Sequence, residues 1–330
     1  MLKKSLMLLG GVCALVLSSC AGVSHDIKEY VLEVDIAATG DYRILQLTDI
    51  HLGDKDDLEK HFKFMDLTIN DAHPDMIVVT GDLFTFALRT TAKRFFKYLD
   101  SKNVPWTVTY GNHDEQCYFS VDWLTNQLNS KYEHCVFKDI QDDDIQGNAN
   151  FAINLKRGGN IFEQLIVMDS NRYNFGGYFG YDYFKDNQIK WYGDLIDYTA
   201  SQNGGAVVPS LMFYHIPLPE IDDAWDKAQT GEDGAILKYG EKGEKTCPPD
   251  ENSGLFDVIV NKGSTTGMYF GHDHVNNFIV NYKGVDFAYG VKATDRVYYG
   301  ESMLGGRVIT LHDDHTTTYQ DYYHTYAEVK

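Results

Sequence analysis

The chain has 330 residues, 43% of them hydrophobic, which is ample for one large domain around a buried core. It carries 48 acidic against 29 basic residues, a formal charge of −19. Such a surface repels polyanions and argues against a nucleic-acid partner, because nonspecific binding of that kind rests on phosphate neutralisation by Lys and Arg.

At the start, Lys3 and Lys4 precede a mostly apolar run over residues 5–17, followed by Ser18, Ser19 and Cys20. This is the charged head and short apolar centre of an export signal, too short to span a bilayer comfortably. Residues 17–20, Leu-Ser-Ser-Cys, resemble a bacterial lipobox. On that reading residues 1–19 are a signal peptide, Cys20 is the lipidated first residue, and the mature chain is held at a membrane outside the cytoplasm. A soluble secreted protein and an uncleaved anchor are the alternatives. Loss of Lys3 and Lys4 would take the charge to −21. Residues 20–35 read as a lipidated Cys and tether, residues 36–315 as the domain, and residues 316–330, polar and Tyr-rich, as a surface extension.

Within the domain, apolar strand-like runs alternate with helical patterns. Residues 44–47, 76–79, 104–108, 211–214 and 268–270 read as strands, as do 151–155, 165–168, 278–282, 285–289 and 307–311. Residues 55–71 predict an amphipathic helix, with Leu58, Phe62, Met65 and Ile69 on one face. Helices are also predicted over 90–99, 121–128 and 186–198. Alternating strands and helices indicate an α/β fold, and the hairpin-like strands near the C-terminus imply a mixed sheet.

Five of these strands end in metal-competent side chains. They are TDIH (48–51), TGD (80–82), YGNHDE (110–115), FYHIPLPE (213–220) and GHDHVNNF (271–278). Taken singly, each is an ordinary turn after a strand, with Gly81, Gly111 and Gly271 as turn glycines. Five independent turns have no reason to supply seven such groups in this order. Ligands gather at strand ends in α/β proteins, so the segments can converge although 225 residues separate Asp49 from His274. Hard oxygens mixed with imidazoles suit Mn, Fe, Zn or similar ions rather than a thiolate site.

The ordered set D-x-H, GD, GNH[DE], H and GHxH resembles the calcineurin-like metallophosphoesterases, from about Tyr42 to Leu311. GNHDE, HIPLPE, NSGLF (252–256), GHDHVNNF, AYG (288–290) and GGRVITL (305–311) further resemble a branch related to purple acid phosphatases. The resemblance implies a four-layer α/β/β/α sandwich of two mixed sheets and a two-metal hydrolase of phosphate esters. It implies one ion on Asp49, His51, Asp82 and His274, a second on Asp82, Asn112, His215 and His272, and Asp82 as the bridge. His113 would be the catalytic imidazole outside the ligand sphere, with Asp114 placed to orient it. Purple acid phosphatases carry a ligating Tyr three residues after the bridging Asp; here that residue is Thr85, so their colour is not expected.

Phosphate-ester hydrolysis needs an activated water, neutralised phosphoryl oxygens and help for the leaving oxygen, and a two-metal clamp supplies the first two. An imidazolium at His113 would supply the third, worth about 10²–10⁴ in rate. Two divalent ions set against Asp49, Asp82 and a hydroxide nucleophile leave roughly one positive charge, which suits a small phosphate ester rather than a long anionic polymer. A nucleotide phosphodiesterase or nuclease on the same site is the alternative enzyme, and a surface binding protein without catalysis the alternative of another class.

Other features stay open in the sequence. The aromatic run over 171–184 reads equally as a loop over the metal cleft and as an ordinary connection. Residues 216–245 read as a specificity loop or a solvated insertion. Cys117, Cys135 and Cys247 permit one disulfide but have no zinc-ligand spacing. His25, His61, His73, His134, His312, His315 and His324 lie outside the motifs and read as surface or core histidines.

Overall fold

The computed structural model describes residues 25–129, 131–174 and 180–329; the export signal and Cys20 lie outside the described residues. A 3-10 turn, Ile27–Tyr30, leads into β1 (Val31–Asp35). Next come β2 (Tyr42–Leu47), α1 (Leu58–Ala72), β3 (Met76–Thr80), α2 (Arg89–Asp100) and β4 (Trp106–Thr109). Because β2, β3 and β4 pair in parallel, α1 and α2 are the crossovers of two βαβ units. Helix α1 forms where the sequence places its apolar face: Leu58, Phe62, Met65 and Ile69 are all buried. The Asp57 side chain caps the start by accepting from Lys60 N–H, and His73 ends the helix in the left-handed region at φ 44°.

The chain continues through α3 (Val121–Leu128), β5 (Phe151–Arg157), β6 (Asn160–Val167), the short pair β7 (Tyr173–Asn174) and β8 (Gly180–Tyr181), and α4 (Asp186–Gln202). It then forms β9 (Ser210–Phe213), α5 (Glu220–Thr230), β10 (Ile236–Tyr239), α6 (Leu255–Lys262) and β11 (Thr265–Phe270). It closes with β12 (Ile279–Tyr282), β13 (Val285–Tyr289), β14 (Gly305–Leu311) and β15 (Thr317–Tyr323). Among the described residues these strands form a mixed sheet in the order β1-β5-β6-β9-β11-β13-β12-β10, a second in the order β15-β14-β2-β3-β4, and the separate β7-β8 pair.

Alternation along the strands builds the layers. Phe151, Ile153, Leu165, Val167, Leu211 and Phe213 face a core shared with Ile44, Ile77 and Val79 of the other sheet. Their neighbours Ala152, Ile166, Met212 and Tyr214 face a second core with Trp191, Leu195, Ile221, Leu255 and Ile259, from α4, α5 and α6. Side chains of α1, α2 and α3 join the first core against the smaller sheet. The result is the expected α/β/β/α stack.

Three expectations need correction. The tether is part of the fold from Ile27 onward: β1 pairs in parallel with β5, and buried Tyr30 meets Trp191 edge-on with ring centres 5.7 Å apart. The C-terminal extension is structural too, since β15 pairs antiparallel with β14 from Thr317 to Tyr323. Residues 216–245 are no open loop, because they hold α5 and β10. Pro219 stands at the start of α5, where a proline's missing N–H is not needed.

Candidate metal centre

Strands β2, β3 and β4 of one sheet and β9 and β11 of the other each run out two or three residues before a metal-competent side chain. Asp49 and His51 follow β2, Asp82 follows β3, Asn112 follows β4, His215 follows β9, and His272 and His274 follow β11. All seven are buried. Asp49, His51, Asp82 and His274 form one cluster whose ligand atoms lie within 4.8 Å of one another.

Hydrogen bonds fix which nitrogens face the cluster. His274 Nδ1 donates to the Tyr298 carbonyl at 2.8 Å, and His215 Nδ1 donates to the Thr80 carbonyl at 2.8 Å. A carbonyl only accepts, so in each neutral ring Nε2 is left with a lone pair. His51 Nδ1 meets Thr85 Oγ1 at 2.9 Å, which puts the hydroxyl that replaces the expected tyrosine to use as a ligand support. The inward atoms are then close: His51 Nε2 is 3.0 Å from His274 Nε2, 3.5 Å from Asp82 Oδ2 and 3.9 Å from Asp49 Oδ1. His274 Nε2 is 3.4 Å from Asp49 Oδ1. Acceptors packed this tightly repel unless a cation lies among them. Such spacings suit one ion with bonds of about 2.0–2.2 Å.

The second set fits as well. Asn112 Oδ1, His215 Nε2 and His272 Nε2 are buried polar atoms without a hydrogen-bond partner. Orphaned buried acceptors are costly, each calls for a partner, and the His215 and His272 rings lie 5.3 Å apart, centre to centre. Asp82 Oδ2 is 3.3 Å from His215 Nε2 as well as 3.5 Å from His51 Nε2, so one oxygen faces both sets, while Oδ1 accepts the His113 N–H at 2.8 Å. This is the position a bridging carboxylate needs.

The charges are mutually adjusted. Burial works to raise Asp49 and Asp82, but the neighbouring imidazoles, His274 and His215 chief among them, outweigh it and hold both carboxyls below the usual range. Burial followed by the charge of Lys292 pushes His51 well down, and burial followed by His215 takes His272 to about 3, so both remain neutral donors. His215 goes the other way: burial is outweighed by Asp82, and the ring rises to about 10. A metal ion at this edge would displace that proton. Lys292, fully buried, donates to the Asp49 carbonyl at 2.7 Å and anchors the turn from behind.

The turns themselves are strained. Asp49 (φ 53°), His51 (φ 53°), Asp82 (φ 49°) and His272 (φ 81°) occupy the left-handed region although none is glycine. Such conformations cost about 1–3 kcal/mol each and cluster at functional sites. The motif glycines are more than turn formers. A Cβ on Gly81, itself at φ 84°, would lie 2.5 Å from His215 Nδ1, and one on Gly271 would collide with Thr48 Oγ1 and Asp49 Oδ2. Their backbones must pass directly against the ligands.

His113 is half-buried beside the cluster, its ring 4.9 Å from that of His51. The expected orienting role of Asp114 is not what the structure contains. The Asp114 carboxylate, pushed up to about 8 by burial and by Asp82, accepts Phe84 N–H at 3.0 Å and Gly111 N–H at 2.8 Å. It ties two turns together. The partner of His113 Nδ1 is Gln116 Oε1 at 2.8 Å. Residues 114–116 form a 3-10 turn, and three residues per turn bring positions 113 and 116 to one side.

Sequence reasoning singled out neither Gln116 nor Lys292. From the ambiguous aromatic run, the described residues Tyr173 and Tyr181 reach the site: Asn112 Nδ2 donates to Tyr173 Oη at 2.8 Å, and Tyr181 meets His272 edge-on with centres 4.3 Å apart. Tyr181 also lines a cleft of about 440 Å³ with Asp222, Lys245 and Cys247. The cysteines Cys117, Cys135 and Cys247 are all free thiols.

Comparison with known proteins agrees with this geometry. A family model described as calcineurin-like phosphoesterase matches residues 42–288. A protein of Arabidopsis thaliana named probable inactive purple acid phosphatase 29 is 28% identical over 289 residues, covering 77% of this chain and 72% of its own. Probable inactive purple acid phosphatase 14 of the same plant is 27% identical over 329 residues, covering 88% and 79%. Among solved structures, a dimetal phosphatase from Danio rerio superposes with a TM-score of 0.51 at 13% identity, covering 82% of this chain and 95% of that one. At that identity the likeness is one of fold.

Proposed function

The chain belongs to the calcineurin-like phosphoesterase family, and from that premise we propose that it hydrolyses small phosphate monoesters or diesters with two metal ions. The observation that carries the reading is the buried cluster of Asp49, His51, Asp82 and His274 at strand ends, with Asp82 also facing His215 and with orphaned acceptor atoms on Asn112, His215 and His272. Asp49, His51, Asp82 and His274 would hold one ion, Asp82, Asn112, His215 and His272 the other, with Mn, Fe or Zn suited to this oxygen and nitrogen set. When bound, the pair supplies an activated water and neutralises phosphoryl oxygens in an in-line displacement. His113, held through Nδ1 by Gln116, is the group placed to give a proton to the leaving oxygen. The plant relatives carry the word inactive in their names. This chain keeps every expected ligand and His113, which supports an active enzyme.

Elemental analysis of purified protein and a panel of monoesters and diesters test the reading. Wild type should carry two equivalents of metal and turn over at least one ester, while Asp82→Ala should lose both ions and essentially all turnover. Asp82→Ala retaining two equivalents would refute the bridge, and wild type with two ions but no hydrolysis would make the chain a binding protein.

For location, the sequence of the leader supports export and lipidation at Cys20. Wild type should label with fatty acid and sediment with membranes. Cys20→Ser should do neither, and a Cys20→Ser protein that was still acylated would overturn the anchor.

A further inference from the structure

The second ion's ligands differ from the first's in what supports them. Around the first, His51 leans on Thr85 and His274 on the Tyr298 carbonyl. Asn112 has a more demanding task. Its amide presents an oxygen on one side and an NH2 on the other, and only the oxygen can bind a cation. A half-turn about the last side-chain bond would aim two N–H donors at the metal position. Among the described residues, the polar contact that distinguishes the two ends is the 2.8 Å bond from Asn112 Nδ2 to Tyr173 Oη.

Tyr173 does not act alone. It is paired directly with Tyr181 across the β7–β8 ladder, and the two rings stack with centres 5.7 Å apart. Tyr181 stands at 88° to the His272 ring, 4.3 Å away. One rung of one short strand pair therefore touches two of the three groups that belong to the second ion alone. The third, His215, is fixed instead by the Thr80 carbonyl.

We propose that this tyrosine rung is the positioning device of the second metal site: the Tyr173 hydroxyl, as acceptor, turns the Asn112 carbonyl toward the ion, and Tyr181 walls His272 in its ligating orientation. The inference rests on the two-ion reading above. It assigns Tyr173 and Tyr181 a role at one ion and none at the other. Without the hydroxyl the amide is free to turn its N–H groups toward the orphaned acceptors of the metal-free site, where they find new partners but take the carbonyl away from the ion. Partners of this kind, when lost, weaken metal binding by about 10–100-fold.

The test is calorimetric titration of the metal-free full-length protein with Mn²⁺. Tyr173→Phe should weaken one of two binding events by about 10–100-fold, leave the other at its wild-type affinity, and leave the melting temperature of the metal-free protein unchanged. Asn112→Ala should abolish the same event. Asn112→Asp should rescue, because a carboxylate has no wrong end: the double variant Asn112→Asp with Tyr173→Phe should bind both ions as Asn112→Asp alone does. Tyr173→Phe that takes up two ions at wild-type affinity, or weakens both alike, or depresses metal-free stability in step with binding, would overturn the proposal while leaving the two-ion site intact. Wild type that takes up fewer than two ions would overturn the underlying reading and the proposal with it.

Discussion

The side chain that separates binding from chemistry here is Gln116. An amide oxygen only accepts, so the 2.8 Å contact places a proton on His113 Nδ1 and leaves Nε2 as the ring nitrogen that Gln116 does not hold. Gln116→Leu removes that anchor without touching a ligand. It should lower kcat by up to about 10²-fold, the cost of misplacing a catalytic group by an ångström, with metal content unchanged. Steady-state kinetics beside elemental analysis check this, and an unaltered kcat would strip Gln116 of the role. Asp114→Asn should act differently, destabilising the fold by about 1–3 kcal/mol because one of two buried backbone N–H groups loses its acceptor. The sequence named the ligands because each is a residue type with few other uses at a strand end. It misplaced the orienting residue because adjacency in GNHDE favoured Asp114, whereas a 3-10 turn makes the third residue the neighbour. Tyr173 carried no signal of its own, being one aromatic among many in its segment.

At the scale of elements, the strands that bear the site were legible because each carries a short apolar run and is buried almost throughout, β3 at every position. The edges were not. β1 and β15 are half-exposed: β1 is short, with Glu33 and Asp35 at its exposed positions, and β15 is written in Thr, Tyr, Gln and Asp rather than in aliphatic residues. What β15 contributes is a charge. Arg307, fully buried on β14, makes a two-pronged bond to Asp321 on β15, Nε to Oδ1 at 2.6 Å and Nη2 to Oδ2 at 2.7 Å. It also donates to the carbonyls of Asn277 and Tyr289, which belong to the other sheet and the turn before it. A guanidinium thus joins the edge strand of one sheet to the backbone of the other, and its pairing with Asp321 outweighs burial and keeps it charged. Asp321→Ala strands that cation in the interior and should cost about 3–5 kcal/mol. Urea unfolding at neutral pH is the measurement. A loss under 1 kcal/mol would mean that the strand edge is ornamental to stability, as the sequence alone suggested.

Across the whole molecule, the two sheets meet at their strand ends as well as through their shared core. One sheet sends Asp49, His51, Asp82 and Asn112 to the junction and the other sends His215, His272 and His274, so ions held there fasten the sheets to each other. Without them the junction concentrates two buried carboxylates, orphaned acceptors and strained turns. Metal binding must therefore appear as folding stability. An ion that binds only the native state adds RT ln(1 + [L]/Kd), about 2.7 kcal/mol at a hundredfold excess over Kd. Protein stripped with a chelator should melt well below the metal-loaded form, and Mn²⁺ should restore it. The concentration dependence counts the ions. Above saturation each site contributes about 1.4 kcal/mol per tenfold rise in free metal, so two sites give a slope near 2.8 and one site half of that. Asp82→Ala, which lacks the carboxylate facing both sets, should show no slope. A wild-type melting temperature indifferent to chelator would separate the site from the fold and show that the packed core closes the sandwich unaided.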